Sequence, residues 1–175
     1  MKTIVIAGSG SGCGKTTLAV RLIKMLPGWA AIKVSPSDLY TVVVDDPAAI
    51  NEPGKDTALM AAAGASHVVW VQSSMPELKE TLPLAMNLAG DVPGIIIEGN
   101  AAADAIVPDT LIFVLGADLQ IKPGAERLLE RADVVVVNAE EMPEGAEELI
   151  QRHNKKADII LSKENLFYFL LGKRK

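Results

Sequence analysis

Short aliphatic and β-branched runs recur along the chain, separated by segments in which apolar residues return every three or four positions. Several of the runs are apolar throughout, which is typical of strands buried on both faces of a sheet. The predicted strands are Thr3–Ala7, Ala30–Val34, His67–Gln72, Gly94–Glu98, Thr110–Leu115, Asp133–Val137 and Asp158–Leu161. Such a sheet needs helices on both sides to cover it.

Segments of helical period lie between these strands and supply that cover. Lys15–Leu26 carries one apolar stripe, and Ala125–Ala132 carries another. Pro76–Ala89 opens on a proline, where the missing N–H costs nothing, but Pro83 inside it is expected to bend or interrupt the helix. The β-propensity of Tyr40–Val44 predicts a small strand or hairpin leg instead of a helix.

Alternation of strands and helices predicts an α/β protein with a mostly parallel central sheet flanked by helices. A hydrophobic fraction of 49% with only 4% aromatic residues fits an interior of aliphatic side chains. Because no repeat or linker divides the sequence, residues 1–175 are interpreted as one domain. The apolar run Leu166–Leu171 is interpreted as a docking helix for the sheet, with an oligomer contact as the alternative.

Charge, hydrophobicity and cysteine content indicate which partners and which cellular compartment to expect. The formal net charge is -5 and the basic residues are scattered, so nucleic acid is not expected as a partner. No apolar run approaches the roughly 20 residues of a membrane-spanning helix, and no signal-peptide pattern opens the chain. The single cysteine, Cys13, cannot form an internal disulfide. These features predict a cytoplasmic protein with no membrane partner.

A glycine-rich segment, residues 8–17, follows the first predicted strand and leads into the first predicted helix. Its glycines let an oligophosphate approach the main chain, whose N–H groups then form a nest for the anion. The helix N-terminus adds a positive dipole end. The predicted phosphate-binding residues are Ser9, Gly10, Ser11, Gly12, Cys13, Gly14, Lys15, Thr16 and Thr17.

Two of these residues have further predicted roles. Lys15 can reach the β- and γ-phosphates and is a predicted catalytic residue, while the Thr16 hydroxyl can bind Mg²⁺. The segment resembles the phosphate-binding loop of the P-loop NTPases, which implies their three-layer α/β fold. Gly8 and Gly14 have five residues between them, and in this spacing the loop is similar to that of dethiobiotin synthetase and cobyrinic acid amidase.

Other segments resemble the molybdopterin-guanine dinucleotide biosynthesis protein B family. Residues 51–57 (Asn-Glu-Pro-Gly-Lys-Asp-Thr) and 62–65 (Ala-Ala-Gly-Ala) look like its Pro-Gly-Lys-Asp and Ala-Gly-Ala pair. Ile95–Gly99 looks like a strand ending in Glu-Gly that both this family and dethiobiotin synthetase carry, and Lys33 matches a lysine present in both. The resemblance extends from Thr3 to Gly99.

Three charged residues are candidates for the site. Glu98 ends a buried isoleucine run at the edge where open parallel sheets hold ligands, so it is predicted as a catalytic residue and metal ligand, with a solvated strand end as the alternative. For Asp56 the resemblance implies a magnesium ligand, and capping of a helix near Thr57 is a compatible alternative. Lys33 is predicted to contact phosphate or an anionic substrate in a supporting role.

Asn138 is the candidate for reading the base, because it follows the strand predicted at Asp133–Val137 and its amide can hydrogen-bond a purine edge. The alternative is a turn former or a cap for a helix near Pro143. The guanine-reading Asn-Lys-x-Asp pattern is broken here by Ala139 and Glu141. The choice between GTP and ATP therefore stays open, and only the resemblance to the molybdopterin family favours GTP.

Two functions are implied by these resemblances. The first is an adaptor that binds GTP with Mg²⁺, hydrolyses it slowly and assists a nucleotidyltransferase partner in molybdenum cofactor biosynthesis, as a homodimer. The second is an enzyme that uses ATP to activate a carboxylate, as dethiobiotin synthetase and cobyrinic acid amidase do. Both require a purine nucleoside triphosphate.

Overall fold

A mostly parallel sheet runs through the part of the chain that the computed structural model describes, residues 1–162. Its strands are β1 (Lys2–Gly8), β2 (Ala30–Pro36), β3 (Val42–Val44), β4 (Val68–Ser73), β5 (Gly94–Glu98), β6 (Thr110–Gly116), β7 (Val134–Asn138) and β8 (Asp158–Leu161). They lie in the order β3-β4-β2-β5-β1-β6-β7-β8. Neighbouring strands are parallel except for β3 and β4.

Helices occupy most of the connections between these strands. They are α1 (Lys15–Met25), α2 (Pro47–Ile50), α3 (Asp56–Ala62), α4 (Met75–Leu88), α5 (Ala102–Ala105), α6 (Glu126–Arg131) and α7 (Ala146–His153). Buried side chains of α1, α2 and α3 pack on one face of the sheet, and those of α4, α5, α6 and α7 pack on the other. The sheet is thus the middle layer of three, as predicted.

The first strand, β1, is buried on both of its faces, which explains its continuous apolar sequence. Val5 and Ala7 face one helical layer, while Ile4 and Ile6 face the other. Side chains alternate between the two faces of a strand, so burial on both faces leaves no position for a polar residue. The strand lies between β5 and β6, and the loop that follows it opens at the carboxyl edge of the sheet.

Pro83 was predicted to bend or interrupt its helix, and the interruption is wrong, since α4 runs without a break from Met75 to Leu88. Pro83 is exposed. On an exposed face, water can bond the carbonyl that loses its N–H partner, so the helix tolerates the proline.

The segment after β2 contains both a strand and a short helix. Only Val42–Val44 of the run at Tyr40–Val44 forms a strand, and it pairs antiparallel with β4. The following helix α2 was not predicted; it begins where Asp46 accepts a hydrogen bond from the Ala49 N–H at 3.1 Å, with a proline in its first turn.

Residues 163–175 lie outside the described part of the chain, and with them the apolar run at Leu166–Leu171. Across residues 1–162, the helices are all too short or too polar to cross a membrane.

Candidate functional site

The loop between β1 and α1 has the conformation that its glycines permit. Gly12 and Gly14 have φ angles of 75° and 105°, in the left-handed region that residues with side chains rarely adopt. Gly14 also lies against Asn138, because a Cβ there would be 2.8 Å from the Asn138 Cγ. Helix α1 starts at Lys15 with no acidic residue in its first turn. Its first amides have no partner within the helix and can bind an anion.

Ser9 anchors this loop to its neighbours. The Ser9 N–H donates to the Val114 carbonyl at 2.9 Å, and its hydroxyl accepts from the Gly116 N–H at 3.2 Å. Its carbonyl accepts from the Lys122 N–H at 2.8 Å. Ser9 was predicted to bind phosphate, but in this structure its amide is used within the fold. The loop therefore gains rigidity at its entrance.

Asn100 holds the residue just before the loop. Its side-chain oxygen accepts from the Gly8 N–H at 2.9 Å, and its side-chain nitrogen donates to the Gly8 carbonyl at 2.8 Å. A Cβ at Gly8 would lie 3.0 Å from the Val114 carbonyl oxygen, so the position accepts only glycine without displacement. This contact was not predicted from the sequence.

Lys15 and Thr16 lie at the start of α1, as predicted. The Lys15 Nζ donates to the Gly10 carbonyl at 2.7 Å, so the ammonium group lies across the loop. The Thr16 hydroxyl donates to Glu98 Oε2 at 3.4 Å, which connects the loop to the end of β5. Cys13 is buried, whereas Thr17 is exposed on the first helical turn.

Lys33, Asp56 and Glu98 form a charged cluster beside the loop. The register of β2 and β5 places Lys33 next to Glu98. The Lys33 Nζ lies 2.6 Å from Asp56 Oδ2 and also pairs with Glu98 Oε2. Burial lowers the pKa of Lys33, but the carboxylates of Glu98 and Asp56 outweigh it and hold that pKa above its usual value. The ammonium group therefore stays charged.

The structure decides against both alternatives for the acidic residues. The Glu98 side chain is 1% exposed, so it is not a solvated strand end. Asp56 is the first residue of α3 and Lys55 precedes it at the cap, where no side chain bonds the helix N-terminus. Asp56 does not cap α3; its carboxylate is directed to Lys33 instead.

The oxygen atoms of this cluster suit Mg²⁺. Asp56, Glu98 and Thr16 offer two carboxylates and a hydroxyl, and magnesium in proteins is often held by one or two carboxylates together with substrate phosphates. Within residues 1–162, no group of three His, Cys, Asp or Glu side chains is placed to form an all-protein metal site. Two carboxylates and a hydroxyl fit a metal ion that shares its coordination with a phosphate chain.

Asn138, at the end of β7, contacts the loop directly. Its side-chain nitrogen donates to the Cys13 carbonyl at 3.0 Å. It is not a helix cap, since α7 begins at Ala146 with Gly145 before it. Its contact to a purine stays a prediction.

A cavity of about 370 Å³ opens on the β6–β7 side of the loop, away from the charged cluster on the β2–β5 side. The segment 116–122 after β6 forms one wall, with Leu119 at φ 56°. The Lys122 side chain extends across Gly10, where a Cβ would meet its Cε at 3.5 Å. This segment was not singled out from the sequence. The residues that line the cavity are Ser9, Gly10, Ser11, Gly12, Cys13, Gly116, Ala117, Asp118, Gln120, Lys122 and Asn138.

The three-layer architecture and the strand–loop–helix at Gly8–Thr17 define the fold of the P-loop NTPases. Several solved structures have a similar fold. HypB from Helicobacter pylori in complex with nickel is similar with a TM-score of 0.65 and 17% identity, over 99% of this chain and 86% of that one. The hydrogenase maturation factor HypB from Archaeoglobus fulgidus is similar with a TM-score of 0.53 and 16% identity, over 92% of this chain and 80% of that one.

The MinC:MinD cell division protein complex of Aquifex aeolicus is also similar, with a TM-score of 0.51 and 18% identity, over 97% of this chain and 84% of that one. No protein-family model and no curated protein sequence matches the chain. At these identities the similarity establishes the fold alone.

Proposed function

We propose that this protein binds a purine nucleoside triphosphate with Mg²⁺ and hydrolyses it slowly, with GTP favoured over ATP. The observation that carries the proposal is the position of Lys15 and Thr16 at the N-terminus of α1, with Glu98 within hydrogen-bond distance of Thr16. Phosphate, metal and a buried carboxylate can then meet at one edge of the sheet.

The loop supplies the binding of the phosphates. Gly10, Ser11 and Gly12 lie between the anchored Ser9 and the first amides of α1, so their backbone can surround an anion without obstruction from large side chains. In the complex, Lys15 would exchange its contact with the Gly10 carbonyl for phosphate oxygens, a charge-assisted and stronger interaction.

Magnesium, when bound, neutralises developing charge on the transferred phosphoryl group. Thr16, Asp56 and Glu98 would hold it. Glu98 is buried and pairs with Lys33, which keeps its carboxylate in place beside Thr16. The slow rate of hydrolysis in this proposal rests on the resemblance to the molybdopterin family.

The nucleoside is proposed to lie on the β7 side of the loop, with Asn138 beside the base. The preference for GTP rests on the resemblance of residues 51–65 to the molybdopterin family. From that resemblance we further propose an adaptor that works as a homodimer and assists a nucleotidyltransferase in molybdenum cofactor biosynthesis.

A second candidate is an ATP-dependent enzyme that activates a carboxylate. Two observations favour it: the loop spacing shared with dethiobiotin synthetase, and the Lys33 ammonium beside Glu98, where it could contact an acidic substrate.

Calorimetric titration of the full chain with GTP and with ATP, each with MgCl₂, tests the central proposal. We expect saturable binding of at least one of them, lost when Mg²⁺ is chelated or Lys15 is replaced. Absence of binding to both would refute it.

Hydrolysis assays then separate the two candidates. Acceleration of ATP hydrolysis by a dicarboxylate would favour the enzyme. Insensitivity to small acids, together with binding to a nucleotidyltransferase, would favour the adaptor.

A further inference from the structure

Lys33 contacts both carboxylates that the proposed function assigns to the metal ion. Its Nζ is 2.6 Å from Asp56 Oδ2 and pairs with Glu98 Oε2 as well. Thr16 Oγ1 lies 3.4 Å from the same Glu98 oxygen. One ammonium group is therefore hydrogen-bonded to the oxygen atoms that would bind Mg²⁺.

The fold enforces this arrangement. Lys33 is on β2 opposite Glu98 on β5, so the backbone register alone brings the two side chains together. The Lys33 side chain is 17% exposed, and Glu98 is almost fully buried. A buried carboxylate requires a positive partner, and among residues 1–162 Lys33 is the one that Glu98 pairs with.

The charges of the cluster make Lys33 and a divalent cation competitors. Two carboxylates and one ammonium group leave a single net negative charge, which is too little for a divalent ion in addition. Both cations at the same oxygen atoms would repel each other strongly in a partly buried site. A triphosphate changes this balance, because its oxygens bring negative charge and give the ammonium group another partner.

We propose that Lys33 is a built-in competitor of Mg²⁺, which holds Asp56 and Glu98 and makes metal binding conditional on the triphosphate. The inference rests on the proposed function, since it takes Asp56 and Glu98 as metal ligands. Lys33 is then a positioning residue that determines the order of binding: the metal ion enters together with the phosphate chain, while Lys33 turns from the carboxylates to phosphate oxygen.

Binding of Mn²⁺ alone, measured by electron paramagnetic resonance without any nucleotide, tests this inference. Mn²⁺ takes the same oxygen ligands as Mg²⁺. We expect Lys33→Met to bind Mn²⁺ at least about tenfold more tightly than the wild-type chain, because the competing charge is gone. Equal affinities in the two proteins would overturn the inference.

Lys55→Met is the matched control, because Lys55 precedes Asp56 in sequence but pairs with Glu52 and lies 4.7 Å from the centre of the Trp70 ring. It removes the same charge close to the site without freeing the two carboxylates. We expect its Mn²⁺ affinity to stay within about twofold of the wild-type value, the change that a screened charge can cause. A gain equal to that of Lys33→Met would show a general charge effect and overturn the inference.

Thermal unfolding with and without MgCl₂ provides a second measurement, since Lys33→Met leaves Glu98 buried without its cation. We expect MgCl₂ to raise the Tm of this variant clearly and that of the wild-type chain little. Lys33→Gln keeps hydrogen-bond donors and should show the same difference. If neither variant folds even with the metal, Lys33 is a structural residue and the inference fails. Because no nucleotide is present, these results are separate from those of the triphosphate titrations.

Discussion

The side-chain amide of Asn100 forms two hydrogen bonds with the main chain of Gly8: it accepts one from the Gly8 N–H and donates one to the Gly8 carbonyl. The two residues are 92 positions apart in sequence. The contact fixes the end of β1, where the phosphate-binding loop begins, against the turn that follows Glu98. The phosphate-binding loop and Glu98 are thereby held in fixed positions relative to each other.

Replacing Asn100 with Ala should weaken both fold and binding. Two part-buried backbone groups would lose their partners, at a stability cost of about 1–3 kcal/mol. Loosening of the loop should lower triphosphate affinity by about tenfold. Urea unfolding and calorimetry measure the two effects. Asn100→Asp keeps the acceptor for the Gly8 N–H but not the donor, so its stability and its affinity should lie between those of the wild-type chain and Asn100→Ala. Wild-type affinity in Asn100→Ala would contradict a role for this contact in the site.

Replacing Lys15 with Ala should abolish tight triphosphate binding and leave the fold intact. The Lys15 ammonium contacts the Gly10 carbonyl and no buried charge, so its loss removes little stability. We expect affinity to fall by about a hundredfold or more, as for loss of a charge-assisted contact to phosphate. Circular dichroism checks the fold and calorimetry the binding. The control is Lys24→Ala, an exposed lysine in the last turn of the same helix; similar losses in both variants would remove the specific role of Lys15.

Replacing Glu98 with Gln should reduce turnover more than affinity. The amide keeps the shape of the side chain but not the charge that metal and phosphoryl transfer require, so we expect kcat to fall about tenfold or more and KM to change little. Steady-state hydrolysis assays measure both. Glu52→Gln, at an exposed glutamate that pairs with Lys55, is the control. Equal kcat in wild-type and Glu98→Gln chains would exclude Glu98 from the chemistry.

Asp109 predicts a dependence of stability on pH. The Thr3 N–H donates to its carboxylate at 2.7 Å and the Thr3 hydroxyl at 2.9 Å, and these hydrogen bonds hold the pKa of Asp109 below its ordinary value of 3.8. A lowered pKa in the folded state means that this stabilisation is present at neutral pH and is lost as the pH falls through the folded-state pKa.

Asp109→Asn should therefore be less stable than the wild-type chain at pH 7, and the difference should shrink below about pH 4. Urea unfolding at a series of pH values provides the measurement. Asp91→Asn, at an exposed position, is the control. A difference between Asp109→Asn and wild type that stays constant with pH would exclude the carboxylate charge as its cause.

Local patterns were sufficient to predict the sheet and the loop. Strands such as Gly94–Glu98 are buried on both faces, so their apolar runs are visible in the sequence without knowledge of their neighbours. Gly14 and Lys15 likewise belong to one short segment whose strand and helix flank it directly.

The contacts that complete the site were not visible in this way. Lys33 meets Glu98 because β2 lies next to β5, an order that differs from the order along the chain. Asn100 and Lys122 reach the loop through hydrogen bonds between residues far apart in sequence, which leave no local periodicity to detect. The short helix α2 was also not predicted, because four residues are too few to show a helical period.

The central place of β1 has a consequence for biosynthesis. Its neighbours in the sheet, β5 and β6, end at Glu98 and Gly116. When β1 and the glycine-rich loop leave the ribosome, neither of these two strands has yet been synthesised. Until then the aliphatic side chains of β1 have no sheet to join and are exposed to association with other chains.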